Sequence, residues 1–139
     1  MFQNILLAAD GSAHSLRAAN NAIHLLTNKE TGSIKVVYVV DGSTSKSDVL
    51  HNKDSKDIAE KRREKVKDIL SLLETSNINH DYIILHGDPG ETIVDYANNN
   101  SFDCLVIGSR GLNRLQSMVL GGVSHKVAKR AKCPVMIIK

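Results

Sequence analysis

The chain has 139 residues, 42% hydrophobic and 24% charged, with a net charge of +3, a size and balance that bury roughly two-thirds of the unfolded surface without disulfide or metal staples. With no Trp, three Tyr and two Phe, it lacks the aromatic platforms on which single-stranded nucleic acid stacks. No apolar run approaches the roughly 20 residues that cross a bilayer, the opening MFQNILLAAD has no basic leader, and Cys104 and Cys133 form no CxxC pair, so a cytoplasmic protein with buried, reduced thiols is expected.

Apolar runs and helical periods alternate along the chain. Asn4–Ala9 reads as a short, continuously apolar strand. Residues 12–28 have helical spacing, with Leu16, Ala19, Ala22, Ile23 and Leu26 on one face. Residues 34–40 form a Val-rich second strand. Residues 41–54 are polar and without period, and read as a mobile loop. The helical period returns over residues 54–76 in a stripe of Ile58, Val66, Ile69, Leu70 and Leu73, interrupted by Arg62, whose stem is long enough to snorkel. Residues 82–86 are a third strand. Asp88-Pro89-Gly90-Glu91 then starts a helix: Asp88 caps, Pro89 fits the first turn and Glu91 completes a capping box. That helix runs to Asn99. Residues 103–109 are a fourth strand, a glycine-bounded loop follows, and a helix covers residues 122–131. Residues 134–139 are a fifth strand, with Pro134 where a missing N–H is tolerated.

Strands that are apolar on both faces and separated by helices belong to a parallel sheet covered on both sides. Right-handed crossovers make this a doubly wound α/β sheet. No linker or repeat divides residues 1–139, so one domain is expected. In such sheets ligands sit beyond the carboxyl ends of the strands, where the strand order reverses. The informative segment there follows the fourth strand. Gly108 and Gly111 can adopt positive φ and let backbone N–H groups converge. Gly121 and Gly122 precede a helix whose first turn has unpaired N–H groups and the positive end of the dipole. Ser124 adds a hydroxyl to that turn. Residues 1–103 carry 11 Lys/Arg against 15 Asp/Glu, whereas residues 104–139 carry seven Lys/Arg and no acid, a field that suits an anionic ligand. A solvated basic helix and glycines kept for packing would leave similar residues, but their coincidence favours a phosphate site. Neither GxxxxGK[ST] nor GxGxxG is present.

Asp10, beside Gly11 at the end of the first strand, has two readings: a carboxylate that holds Mg2+ against phosphates, or a cap for the helix that follows. The six histidines form no HxxxH or HExxH pair, which argues against zinc. His125 adjoins the glycine turn and reads either as a phosphate contact or as a solvated first-turn residue. No nucleophile elbow or positioned general base is visible, which argues against rapid turnover.

Ile5-Leu6-Leu7-Ala8-Ala9-Asp10-Gly11-Ser12 resembles the opening of the universal stress protein family. Gly108-Ser109-Arg110-Gly111, nine residues and then Gly121 resembles that family's nucleotide loop, G-x2-G-x9-G-[ST], and Cys133-Pro134-Val135-Met136-Ile137-Ile138 resembles its ending. The resemblance covers essentially the whole chain. It implies a Rossmann-like fold of the adenine nucleotide alpha hydrolase-like kind, a five-stranded parallel sheet in the order 3-2-1-4-5 with helices on both faces and the switch point between the first and fourth strands. It implies a regulatory protein of the stress response that binds ATP or a related adenine nucleotide, with Mg2+ as companion, and that forms a homodimer through residues 134–139. Carried over by position, Asp10 approaches the phosphates or metal, Val39 meets adenine through its backbone, Gly108, Arg110 and Gly111 line ribose and phosphates, and Gly121, Gly122, Val123 and Ser124 cradle the phosphates. Gly122 departs from the pattern, because it keeps the N–H but loses the Ser/Thr hydroxyl. A member that binds no nucleotide and acts through protein–protein interaction is the implied alternative, and a slow ATPase or phosphoryl-transfer enzyme is a third.

Overall fold

A computed structural model of the chain describes residues 2–42, 46, 50, 55–109 and 122–139. The elements run β1 (Asn4–Ala9), α1 (Ala13–Leu25), β2 (Ser33–Val40), α2 (Ser55–Lys65), α3 (Lys67–Thr75), β3 (Asn79–His86), α4 (Pro89–Asn99), β4 (Cys104–Gly108), α5 (Gly122–Arg130) and β5 (Val135–Ile138). The strands form one sheet in the order β3-β2-β1-β4-β5, with every pairing parallel. The order and the Rossmann-like architecture are those expected from the sequence.

Alternation along the central strands divides the apolar residues between two cores. Ile5, Leu7, Val36 and Val106 face α1 and α3, packing with Ala18, Ala22, Ile69 and Leu73. Leu6, Ala8, Val37, Leu105 and Ile107 face the other way and pack with Ile93, Val94 and Ala97 of α4 and Val127 of α5. Burial on both faces is what a parallel sheet between helical layers requires. It also explains why β1 and β4 read as unbroken apolar runs.

Four local expectations change. The helix expected over residues 54–76 is broken at Val66, which has φ −110° and ψ 10° and bonds back to Arg63 O at 3.1 Å. Val66 is fully buried with Ile69, Leu70 and Leu73, whereas α2 buries nothing. The break turns α3's apolar stripe into the core and leaves α2 on the surface. β3 begins at Asn79 rather than Tyr82, because parallel pairing with β2 starts at Ser33↔Asn79 and tolerates polar side chains at its outset. Leu16, expected on α1's buried face, is 38% exposed, and the buried row runs through Ser15, Ala18, Ala19, Ala22 and Ile23. In the segment expected as a loop, the described positions Gly42, Lys46 and Leu50 have helical backbone. The other positions from 43 to 54 lie outside the described residues.

Asp88 and Asp103 fix the ends of two elements. Asp88 caps α4 by accepting from Glu91 N at 3.1 Å, with Pro89 in the first turn. Glu91's carboxylate lies 4.0 Å from Lys126 Nζ. Asp103 Oδ2 accepts from the N–H groups of both Gln3 and Asn4 at 2.8 Å, joining the start of β1 to the approach to β4. Those two backbone bonds hold the Asp103 carboxyl below its ordinary range. A depressed folded-state value stabilises the protein above the unfolded value and loses that contribution as pH falls through the folded value. Asp103→Ala is therefore expected to lower unfolding stability at pH 7 by about 1–2 kcal/mol, toward the lower part of the range for bonds to a charged group because the carboxylate is partly solvated. In denaturant titrations the gap between variant and parent should narrow as pH is taken below the ordinary carboxylate value of 3.8.

Candidate functional site

The strand order reverses across β1. The chain runs from β1 outward to β2 and β3, then crosses back to β4 and β5 on the other side. The carboxyl ends of β1 and β4 flank the resulting crevice, and the first turns of α1 and α5 stand at the same end of the sheet. A doubly wound sheet receives ligands there.

The β1 side is built by a cap. Asp10 is half-buried, and its Oδ1 accepts from Ser12 N at 2.9 Å. Ser12 is the N-cap of α1 and accepts from Ser15 N at 3.2 Å, while Ser15 Oγ returns a bond to Ser12 O at 2.9 Å. The capping reading of Asp10 is thus present in the structure, through one carboxylate oxygen. Gly11 turns the chain between strand and helix at φ +86°. A Cβ there would also lie 2.8 Å from Lys65 O, where α2 ends. Only glycine meets both demands without strain.

The β4 side turns on Gly108. Gly108 is not among the described residues with positive φ. What it requires is space: a Cβ would lie 2.8 Å from His14 Cβ, 3.1 Å from His14 C and 3.2 Å from His14 O. The sequence expectation of a left-handed Gly108 is corrected to a close approach of α1 on β4. Gly108 O accepts from Ser124 Oγ at 2.6 Å, and Ser109 N donates to Ile138 O at 2.7 Å. One dipeptide therefore ties β4 to α1, α5 and β5.

Ser124 is fully buried. A hydroxyl has one proton, and here that proton is directed to Gly108 rather than into the crevice. Gly122 is exposed at the start of α5, and nothing lies within 4 Å of where its Cβ would stand. Val123 is half-buried against the α4–α5 core. Arg110, Gly111 and Gly121 lie outside the described residues. His125 is exposed.

Val39 contributes backbone. In a parallel ladder one residue's N–H and C=O face the same neighbour, and successive residues alternate. Val40 O accepts from Gly87 N at 3.0 Å, on the β3 side. Val39 therefore turns its N–H and C=O toward β1; the last pair, Ala9↔Tyr38, takes the N–H onto Ala9 O and leaves the C=O beyond the end of the ladder. Polar main chain is left facing the mouth of the crevice.

Among the described residues no three His, Cys, Asp or Glu side chains gather as a metal-binding group. Likewise none of their helices is long and apolar enough to cross a membrane. Cys104 and Cys133 are free thiols, and burial raises both above the usual thiol range.

Sequence reasoning missed His14 and Arg17. His14 matters because of a side chain that Gly108 lacks, 94 positions away in the chain, and no local pattern marks it.

The family model described as the universal stress protein family matches residues 1–139. A relative from Bacillus subtilis, universal stress protein YxiE, is 31% identical over the full length of both chains. The solved structure of the Methanocaldococcus jannaschii protein MJ0577 superposes with a TM-score of 0.84 at 27% identity, covering 100% of this chain and 96% of that one. A universal stress protein family protein from Arabidopsis thaliana, solved with AMP bound, superposes at 0.70 with 22% identity, covering 99% and 91%. The chain belongs to the universal stress protein family.

Gly108→Ala is expected to force α1 and β4 apart against backbone and Cβ atoms that cannot rotate away. Overpacking of this kind costs about 1–3 kcal/mol, so thermal unfolding should shift down by several degrees. Gly122→Ala, in open space, should leave the midpoint nearly unchanged.

Proposed function

We propose that this universal stress protein family member binds an adenine nucleotide in the β1–β4 crevice and serves as a regulatory protein of the stress response, working as a homodimer rather than turning nucleotide over rapidly. The observation that carries the reading is the pairing of two unlike ends across one crevice. At one end Val39 offers a main-chain carbonyl suited to accept from the exocyclic amine of adenine. At the other, the exposed first turn of α5 offers N–H donors and a positive dipole end within a segment that carries no acid. The AMP-bound structure of the same fold supports adenine as the base. ATP is the fuller ligand proposed, since the loop spacing from Gly108 to Gly121 matches the nucleotide loop of the family.

The donor set fits phosphate through backbone rather than side chains. Ser124's proton is committed to Gly108, and Gly122 has no hydroxyl. Arg110, Gly111 and Gly121 complete the proposed cradle, with Val123 packed behind it. Mg2+, carried in with the nucleotide, would offset phosphate charge, and Asp10 is the carboxylate proposed to face it, with phosphate oxygens and water filling the remaining coordination.

The homodimer is proposed through residues 134–139. β5 is an edge strand whose outer side pairs with no strand among the described residues, and Met136 on it is 38% exposed. Such an edge is a template for a second copy. A second reading is an interaction protein with no nucleotide, favoured by the lack of a free hydroxyl at Ser124 and Gly122.

Calorimetric titration with ATP and AMP, with and without Mg2+, should show binding in the micromolar to millimolar range. Absence of heat at millimolar nucleotide, with none released from the purified protein by heating, would establish the second reading instead. Because the space at Gly122 is open, Gly122→Ser should tighten ATP binding by up to about tenfold, the value of one added hydrogen bond to a charged group. Met136→Arg should shift light-scattering mass from dimer toward monomer, and an unchanged mass would rule out pairing through β5.

A further inference from the structure

Arg17, on the second turn of α1, holds two acceptors at once. Its Nη2 donates to His14 Nδ1 at 3.1 Å and its Nε to the Lys139 carbonyl at 3.1 Å. A guanidinium offers only donors, so Nδ1 is the unprotonated nitrogen of His14 in this contact. The fork is planar and permanently charged, so its two bonds have a fixed relative direction. One bond reaches the first turn of α1, which lies against Gly108. The other reaches the residue that follows β5.

His14 has no slack on its other side. Its Cβ, carbonyl carbon and oxygen occupy the space a Gly108 side chain would fill. Gly108 and Ser109 are where the chain leaves β4 for the proposed phosphate loop. Ser109 N also bonds Ile138 O. The end of β5 is thus joined to the loop entrance twice, once through main chain and once through Arg17 and His14. The His14–Gly108 contact is close-packed and passes a displacement on instead of absorbing it, and the two Arg17 bonds link it at the surface to Lys139.

We propose that Arg17 is a positioning residue that couples occupancy of the β1–β4 crevice to the carboxyl end of the edge strand β5. The inference rests on the reading of that crevice as the ligand site. It adds a route through α1 by which a bound nucleotide alters the edge offered to a second copy. A ligand that pins Gly108–Ser109 pins His14, and Arg17 carries that restraint to Lys139.

Hydrogen exchange of the peptide carrying residues 134–139 tests this with and without saturating AMP or ATP, with calorimetry run on the same samples. Wild-type exchange should slow by about fivefold on binding, the low end of usual coupling between sites. In Arg17→Ala the slowing should fall to about twofold, the part still carried by the Ser109 N–Ile138 O bond, while nucleotide still binds and the far-ultraviolet spectrum is unchanged. Arg17→Lys, which keeps the charge but cannot present two diverging donors from one plane, should fall between them. Equal slowing in Arg17→Ala overturns the coupling and leaves the crevice reading standing. So does unchanged exchange in a wild-type protein that calorimetry shows to be saturated. No binding in the wild type overturns both.

Discussion

A hydrogen where other residues carry a Cβ lets the first turn of α1 lie directly on the end of β4. That contact between Gly108 and His14 sets the width of the switch point. It brings the Asp10–Ser12 cap alongside the exit of β4. Ser124 then locks α5 to the same residue through Gly108 O, and Ser109 N locks β5 through Ile138 O. Four elements meet at two residues: α1 by close contact, α5 through the Ser124 hydroxyl and β5 through main chain. The crevice is therefore a consequence of packing rather than a gap left by it.

The same economy shapes the chemistry available there. The described polar groups at the crevice are largely main chain: the C=O of Val39 and the N–H groups of the first turn of α5. The Ser124 hydroxyl, which the sequence pointed to as a ligand group, is used within the fold on Gly108, as Ser12 and Ser15 are in the α1 cap. Main-chain donors cost no side-chain entropy when a ligand arrives, and they suit an anion because the helix dipole adds to them. They discriminate poorly between anions, so in the proposed nucleotide site selectivity falls to the Val39 end.

The architecture was legible because both faces of the sheet are buried. Runs such as Ile5-Leu6-Leu7 and Leu105-Val106-Ile107 admit few other readings, and Asp88-Pro89 announced its helix correctly. The break at Val66 was not legible, since the stripe from Ile58 to Leu73 keeps helical period across it. The break coincides with Val66 entering the core shared by α1 and α3 and with Lys65 O lying 2.8 Å from where a Gly11 Cβ would stand, both tertiary features. The glycine loop was visible, but the reason for Gly108 was not. Sequence suggested a left-handed backbone, whereas the structure requires a close approach to a residue far away in the chain. Asp10 left two readings open, and its bond to Ser12 N realises the cap without deciding what else the carboxylate meets. Ser124 looked like a ligand group because its partner is a main-chain carbonyl, which no sequence displays.

The account stands on a ligand entering between β1 and β4 with its base toward Val39 and its phosphate toward α5. Amide chemical-shift mapping during titration with ATP reads this directly. The account predicts that Val39, Gly11, Ser109 and Gly122 to Ser124 shift together and saturate with one dissociation constant, while Asn4 and Asp103 at the opposite end of the sheet stay fixed. Shifts gathered at that opposite end, or on α2 alone, would contradict it.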